Sequence, residues 1–247
     1  MEIHHHPRHS EKSRNYKEYI FEFLVIFVAI IGSFFAENIR EHYVDKHKAK
    51  EYMESMLGDL KYDSASLTEL IVLNKDQVKG LDSLLKVMED PLVGSKLNLF
   101  YYLDMRYTLN YNIFGSSNRS LSQLKNTGDL RLIKVKAVSD GIANYEMDLN
   151  VSLNQSQLLE NQFNKIKDQQ SEIIDFLTLK KLVQKTSILQ IKEHPALVTS
   201  NTKTIHAYYF NIFILKGVIS SYIARLTELK KQTSYLMKTI QKEYNLE

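Results

Sequence analysis

The chain has 247 residues, with 32 Lys and Arg against 29 Asp and Glu, a formal charge of +3, no Cys, 8 Gly and 3 Pro. The near balance of charge leaves no lobe basic enough to make nucleic acid the main partner, and the missing cysteines exclude a disulfide framework and thiol chemistry. So few turn-forming residues disfavour a sheet of many short strands and point to an all-α fold of long helices.

Residues 1–18 read as a short N-terminal tail. His4, His5, His6 and His9 have the chemistry to bind a soft divalent metal, but a tail that no packed core holds is the simpler reading, and no metal or cofactor is assigned. Residues 19–37 read as a transmembrane helix. Ile20–Ala36 is a run of seventeen residues with one charge, Glu22, which meets the lower limit of about 17 for a span. Tyr16 and Tyr19 suit the headgroup layer, and Phe34 is too bulky for the small-residue site of a cleavable signal. Arg8, Lys12, Arg14 and Lys17 before the span balance Arg40, Lys46, Lys48 and Lys50 after it. The positive-inside count is thus tied, and the expectation is an inner-membrane protein with its C-terminal domain in the periplasm.

Ala29, Gly32, Ser33 and Ala36 share one face of the span at the four-residue spacing that lets membrane helices approach closely. Glu22 falls on the same stripe. It is either a ring of carboxylates along an oligomer seam or pore, or an edge residue snorkelling to the headgroups at the favourable N-terminal end of its helix.

Residues 38–90 read as the first long helix. Met53, Leu57, Leu60, Ser64, Leu67, Ile71, Asn74, Val78, Leu81, Leu85 and Met88 alternate four and three apart, the 3.5-residue repeat of helices that wind around one another. The same alternation runs backwards through Lys50, Lys46, Tyr43, Ile39 and Ala36 into the span. With Asn15 and Glu18 as a capping pair and no Pro from Asn15 to Asp90, one nearly continuous helix is expected, with Gly58 and Gly80 as the places for a bend. Asp59 and Asp63, four apart, read as a solvated face.

Residues 91–134 read as a distal cap. Leu97–Phe114 carries six aromatics in eighteen residues, which suits packing against helix ends better than a ligand surface. In Ser116–Lys134, Ser117, Asn118 or Ser120 can cap a short helix and Gly128 can end it in the left-handed conformation. Leu130, Leu132 and Ile133 then plug into the bundle. Lys125, Gly128 and Arg131 form a candidate recognition corner for something anionic, although a plain chain reversal uses the same residues.

Two stretches, Glu22 with the apolar run, Gly32, Ala36 and Asn38, and the more specific Leu124-Lys125-x-x-Gly128-x-Leu130-Arg131-Leu132-Ile133, cover about a third of the chain. On them the chain resembles the uncharacterised single-span membrane proteins of Bacteroidota grouped as a domain of unknown function. Ile39 stands where that family usually has Trp. The resemblance implies a membrane-tethered helical envelope protein and carries no activity with it.

Residues 135–182 read as the second long helix, on the run Val138, Ile142, Tyr145, Leu149, Ser152, Ser156, Leu159, Phe163, Ile166, Gln170, Ile173 and Leu177. Residues 183–202, broken by His194-Pro195, read as a membrane-proximal loop whose Ile188, Leu189, Ile191, Leu197 and Val198 touch the interface. Residues 203–245 read as the third helix, on Ile205, Tyr208, Ile212, Leu215, Ile219, Tyr222, Leu226, Leu229, Thr233, Leu236 and Ile240. Asn211, Lys216, Ser220 and Ser221 make His206–Ala224 bundle core rather than a second span. Stretches of 43 residues, each roughly 65 Å as helix, predict an elongated antiparallel coiled-coil bundle of three helices with a small helical cap.

No catalytic residue is assigned. The chain lacks a phosphate-cradling Gly-rich loop and a paired-His metal spacing, and a rod of matched helices offers few shielded clefts. The expected function is a self-associating scaffold or accessory subunit of a bacterial envelope complex. Its partners are the bilayer, further copies and other membrane or envelope proteins, with Asn74, Gln170 and Thr233 setting register. One alternative is an envelope sensor using the aromatic cap, which needs a partner for output because a tail of about nineteen residues holds no domain. The other is a pore or proton-coupled subunit using Glu22.

Overall fold

A computed structural model describes residues 16–184, 187–188 and 196–247, and the chain divides into two units, Met1–Glu51 and Tyr52–Glu247. The histidines of the tail, Asn15, Leu189, Ile191 and the His194-Pro195 break lie outside the described residues. Six helices account for nearly all described structure: α1 Tyr16–Met88, α2 Ser95–Thr108, α3 Arg119–Asn126, α4 Lys136–Ile173, α5 Phe176–Leu182 and α6 Thr202–Tyr244. A 3₁₀ turn occupies Asp129–Leu132, and Val183–Gln184 pairs antiparallel with Ser187–Ile188.

In the first unit, α1 exposes its apolar side chains all round, from Ile20 to Ile39. No water-soluble helix gains by this arrangement, because the burial that normally stabilises an apolar helix is missing. Among the described residues this is the one helix long and apolar enough to cross a membrane.

The second unit is built from four arms that alternate in direction. Tyr52–Met88 of α1 is the first. The chain turns at Asp90–Gly94 and runs back along α1, and successive contacts record the descent. Gln77 donates to the carbonyls of Tyr107 (2.9 Å) and Asn110 (2.8 Å), and Asn74 to that of Asn112 (3.1 Å). Asp63 accepts from Ser117 N (2.7 Å), Asp59 from Ser120 N (2.9 Å), and Tyr52 donates to Asp129 (2.7 Å). The third arm, α4, starts beside that end. The fourth, α6, is antiparallel to α4, as Gln162 and Gln169 bond Asn211 while Gly141 packs on Leu236. It is antiparallel to α1 as well, with Lys216 paired to Asp82 and Lys61 donating to the carbonyl of Glu247.

Residues 91–134 are therefore not a distal cap but a full second arm, and α4 runs parallel to α1 instead of returning along it. The arm escapes a heptad search because it changes conformation on the way, from α2 through the non-helical Leu109–Asn118 to α3 and the 3₁₀ turn. Ten near-extended residues cover roughly 30 Å, about as far as twenty helical ones. The connection after α4 consequently falls at the end of the unit where α1 stops. Ala196–Ser200 flanks Asp90–Leu97, opposite to Tyr52, and not at the end expected for a membrane-proximal loop.

The heptad positions are the core. In α6 every position of the run except the half-buried Ile205 is buried, and in the run from Val138 to Leu177 only Ser156, Gln170 and Leu177 are not. Leu177 is 65 % exposed. Helix α4 ends at Ile173, where Ile174 turns extended, and Asp175 restarts the chain as α5 by accepting from Thr178 N (2.8 Å). α1 buries a wider face than its stripe, adding Met56, Asp59, Asp63, Gln77 and Leu84, because it packs against other arms on two sides.

Neither Gly58 nor Gly80 interrupts α1. Gly80 instead lets the Tyr107 ring lie on the helix backbone, where any Cβ would overlap it, whereas a Cβ at Gly58 meets open space. Thermal melts should separate the two. Gly58→Ala stabilises by about 0.5–1 kcal/mol through helix propensity, while Gly80→Ala costs roughly 1–3 kcal/mol by overpacking. Equal effects would contradict this contact.

Candidate functional site

Three places hold the residues on which chemistry could rest. The first is the span. Ala29, Gly32, Ser33 and Ala36 are exposed, Ser33 Oγ donates to the Ala29 carbonyl (2.8 Å), and among the described residues nothing approaches the open side of Gly32. Glu22 is exposed on the same helix. The stripe is thus available to lipid or to another helix.

The second place is the corner after α3. Gly128 adopts φ 72°, the left-handed conformation expected of it. Lys125 is exposed and paired with Glu146 of α4, and Arg131 is exposed. The short 3₁₀ turn buries Leu132 and Ile133 but leaves Leu130 at the surface, contrary to the expectation that all three plug inward. Between them the turn buries Asp129, whose carboxylate accepts from Tyr52 Oη and Thr127 Oγ1. The corner residues hold a chain reversal against α1 and α4.

The third place was misread in the sequence. Asp59 and Asp63 are 6 % and 0 % exposed, not a solvated face. They lie one turn apart on α1, and α3 begins against them without a side-chain cap of its own. Their carboxylates supply that cap from another arm. Asp59 accepts from Ser120 N (2.9 Å), Ser120 Oγ (2.6 Å) and Ser117 Oγ (2.8 Å), and Asp63 from Ser117 N (2.7 Å) and Tyr145 Oη (2.5 Å). Burial pushes both carboxyls up. For Asp59 the Ser120 and Ser117 hydrogen bonds, with Arg119 at 3.7 Å, outweigh burial and leave it below the usual range. For Asp63 burial prevails over its bonds, the negative Asp59 adds to it, and the group sits above the usual range.

A more extreme carboxyl stands where α2, α4 and α6 meet. Asp104 is fully buried, accepting from Tyr208 Oη (2.5 Å) and Gln170 Nε2 (2.9 Å), while Thr108 Oγ1 accepts from the same amide (2.6 Å). All its hydrogen-bond partners are neutral groups. Burial raises it to about 7, against the lowering effect of Tyr208, Gln170 and Thr108. Burial, then the adjacent carboxylate, pushes the Tyr208 hydroxyl far up in turn. Asp104 is legible in retrospect, since Leu97, Tyr101, Asp104 and Thr108 fall on one helical stripe and the acid interrupts it.

The aromatic run of the second arm packs. Phe100, Tyr101, Met105 and Phe114 are buried, and the Tyr101 hydroxyl bridges Asp175 N (2.9 Å) and the Ala196 carbonyl (2.8 Å). At that end a shallow groove of about 710 Å³ runs between Asp90–Leu97 and Ala196–Tyr209, walled by Leu92, Leu197, Val198 and Ile205 and open to solvent. Among the described residues no group of three or more His, Asp or Glu side chains has the arrangement of a metal site.

Fold and sites together define a helical protein with one candidate membrane-spanning helix. No protein-family model, curated protein or solved structure matches the chain.

Proposed function

We propose that the protein is a single-pass, membrane-anchored helical scaffold that self-associates and serves a bacterial envelope complex by holding partners rather than by catalysis. The observation that carries this reading is the contrast along α1, which is apolar and bare over Ile20–Ile39 and sealed into a packed core from Tyr52 onward. Burying such a helix in lipid removes from water on the order of ten large apolar side chains at about 1.5–3 kcal/mol each.

The buried carboxylates favour a structural role over a catalytic one. Asp59, Asp63 and Asp129 are engaged by backbone and hydroxyl donors that tie one arm to the next. The four arms act as an intramolecular coiled-coil bundle in which the Asn74 amide nitrogen, Gln170 and Thr233 bond within the chain and set its own register. The likeness to single-span Bacteroidota proteins supports a membrane-tethered envelope protein, and we place the second unit in the periplasm as the orientation expected of such an anchor.

Two differently tagged full-length copies, co-expressed and extracted in mild detergent, test the reading. The expected result is mutual co-purification from the membrane fraction. A particle mass of one copy at every concentration, with no co-purification, contradicts it.

A further inference from the structure

Surface charge is one-sided at the turn between α3 and α4. Residues 117–146 hold five basic side chains, Arg119, Lys125, Arg131, Lys134 and Lys136, against the acids Asp129, Asp140 and Glu146. Two of the acids are engaged within the chain. Asp129 is buried and accepts from Tyr52 Oη (2.7 Å), and Glu146 pairs with Lys125. Arg119 lies 3.7 Å from Asp59. Arg131, Lys134 and Lys136 are exposed, and among the described residues none of the three has an ion-pair partner. Asp140, exposed one turn beyond Lys136 on α4, is the acid that remains. The backbone fixes this display, because Leu132, Ile133 and Val138 are buried and Lys134 N donates to the Leu132 carbonyl (3.0 Å).

The Tyr52–Asp129 bond sets the turn at the end of the second unit from which the chain leads into its apolar stretch. Tyr52 follows Ile39 by thirteen residues of unbroken helix, so the two lie at most roughly 20 Å apart. The headgroup layer takes up about 5–7 Å of this distance, and attraction to anionic lipid reaches about 8 Å beyond it. An extended Lys side chain spans the rest. Neighbouring charges nearly cancel. Lys46, Lys48 and Lys50 of α1 are offset by Glu41, Asp45 and Glu51, and Arg40 pairs with Glu37. Glu54 and Lys61 offset each other, as do Lys238 and Lys242 of α6 with Glu243 and Glu247. The surplus at this end is the turn itself.

We infer that Arg131, Lys134 and Lys136 form a docking surface for anionic phospholipid headgroups, which holds the base of the second unit against the bilayer that anchors α1. The inference rests on the membrane-anchored reading and adds a lipid partner to it. Each basic residue near such a surface favours docking by roughly fivefold, and three together by about a hundredfold. Asp140 takes back part of that gain. The remainder suffices because the anchor already holds the turn beside the headgroups, so docking is an intramolecular step with a high effective lipid concentration. An acidic protein would have to be recruited from solution, whereas the lipid is within reach of every copy.

The chain has no cysteine, so Leu130→Cys, at a position 39 % exposed, takes a single bimane label. The full-length variant is placed in phosphatidylcholine vesicles carrying a headgroup-nitroxide lipid, with or without phosphatidylglycerol at about one lipid in three. Quenching is expected with phosphatidylglycerol, severalfold weaker without it, and lost at about 1 M salt, where screening shortens to about 3 Å. Arg131→Gln, Lys134→Gln and Lys136→Gln combined should abolish it and leave the thermal melt in place, whereas Arg131→Lys should preserve it. A label on Leu73→Cys, exposed further along α1, stays bright throughout. Equal quenching with both lipids, or quenching that survives the triple variant, overturns the inference. So does a label shielded from aqueous iodide in native membranes but not in vesicles, which assigns the cations to an acidic protein. If the chain resists carbonate extraction while its label is never quenched, the inference fails and the anchor stands. Release of the chain by carbonate removes both.

Discussion

Asp104→Asn is expected to abolish a pH dependence of stability worth about 4 kcal/mol. In the folded chain the Asp104 carboxyl titrates at about 7, against about 3.9 when unfolded. Between those values the native state holds a proton that the unfolded state has released, so unfolding is favoured as pH rises. The contribution of Asp104 is therefore complete below about pH 4, is lost progressively up to about pH 7, and is constant above that. Tyr208 of α6 and Tyr101 of α2 are the titratable groups facing it; both hydroxyls are pushed up by burial and stay protonated throughout this range.

Asparagine keeps the acceptor for Tyr208 and carries no charge to bury. Gln170 has to turn its amide to present the oxygen to the new donor, and Thr108 then exchanges its bond to the residue-104 backbone carbonyl for one to that oxygen. Other carboxylates tilt the curve the opposite way. Asp59 and Asp175 are held low by their hydrogen bonds, so their stabilisation fades as pH falls. The difference between wild type and variant isolates Asp104. Urea melts of the detergent-solubilised full chain at pH 4.5, 6 and 7.5 should show the variant gaining steadily on the wild type. A constant difference over that range contradicts a neutral buried Asp104.

Asp59→Ala is expected to cost about 3 kcal/mol, because it strands the Ser120 amide together with two hydroxyls inside the protein. A unit of this size loses roughly 2–4 °C of melting temperature per kcal/mol, so the midpoint should fall by roughly 6–12 °C. Asp59→Asn, which keeps one acceptor, should fall less. Lys125→Ala and Arg131→Ala should change stability by less than about 0.5 kcal/mol, since exposed pairs contribute little. That ordering separates the two readings of the 117–131 region. If Asp59→Ala melts like wild type, the carboxylate does not join α1 to α3.

The two halves of the fold were unequally legible. α1 and α6 were readable to within a few residues, because Met53 to Met88 and Tyr208 to Ile240 repeat one spacing without a break. The continuity of α1 through its apolar stretch followed from the absence of Pro between Asn15 and Asp90. The second arm was not readable, and one omission misdirected the rest. Its Asn110, Asn112 and Ser117 backbone groups are satisfied by side chains of α1 rather than by a helix of their own, so no periodicity marks the stretch. A compact cap at 91–134 forces α4 antiparallel to α1 and puts the following loop at the opposite end from the one the structure shows.

The buried acids failed for a related reason. On a single helix Asp59 and Asp63 look like any charged turn, and only the arrival of α3, with uncapped amides, makes burial worthwhile. Met56 and Leu84, on the same secondary row of α1, were the available hint of a second packed face. Glu22, Gly32 and Ala36 were singled out by their spacing on one helical face, and all three are exposed on α1.

A membrane-anchored scaffold requires above all that the apolar stretch of α1 be embedded in lipid. Alkaline carbonate extraction of membranes containing the full chain tests this directly. The protein is predicted to stay with the pelleted bilayer, and release of most of it into the supernatant as a folded helical protein would contradict the anchor and the scaffold built on it.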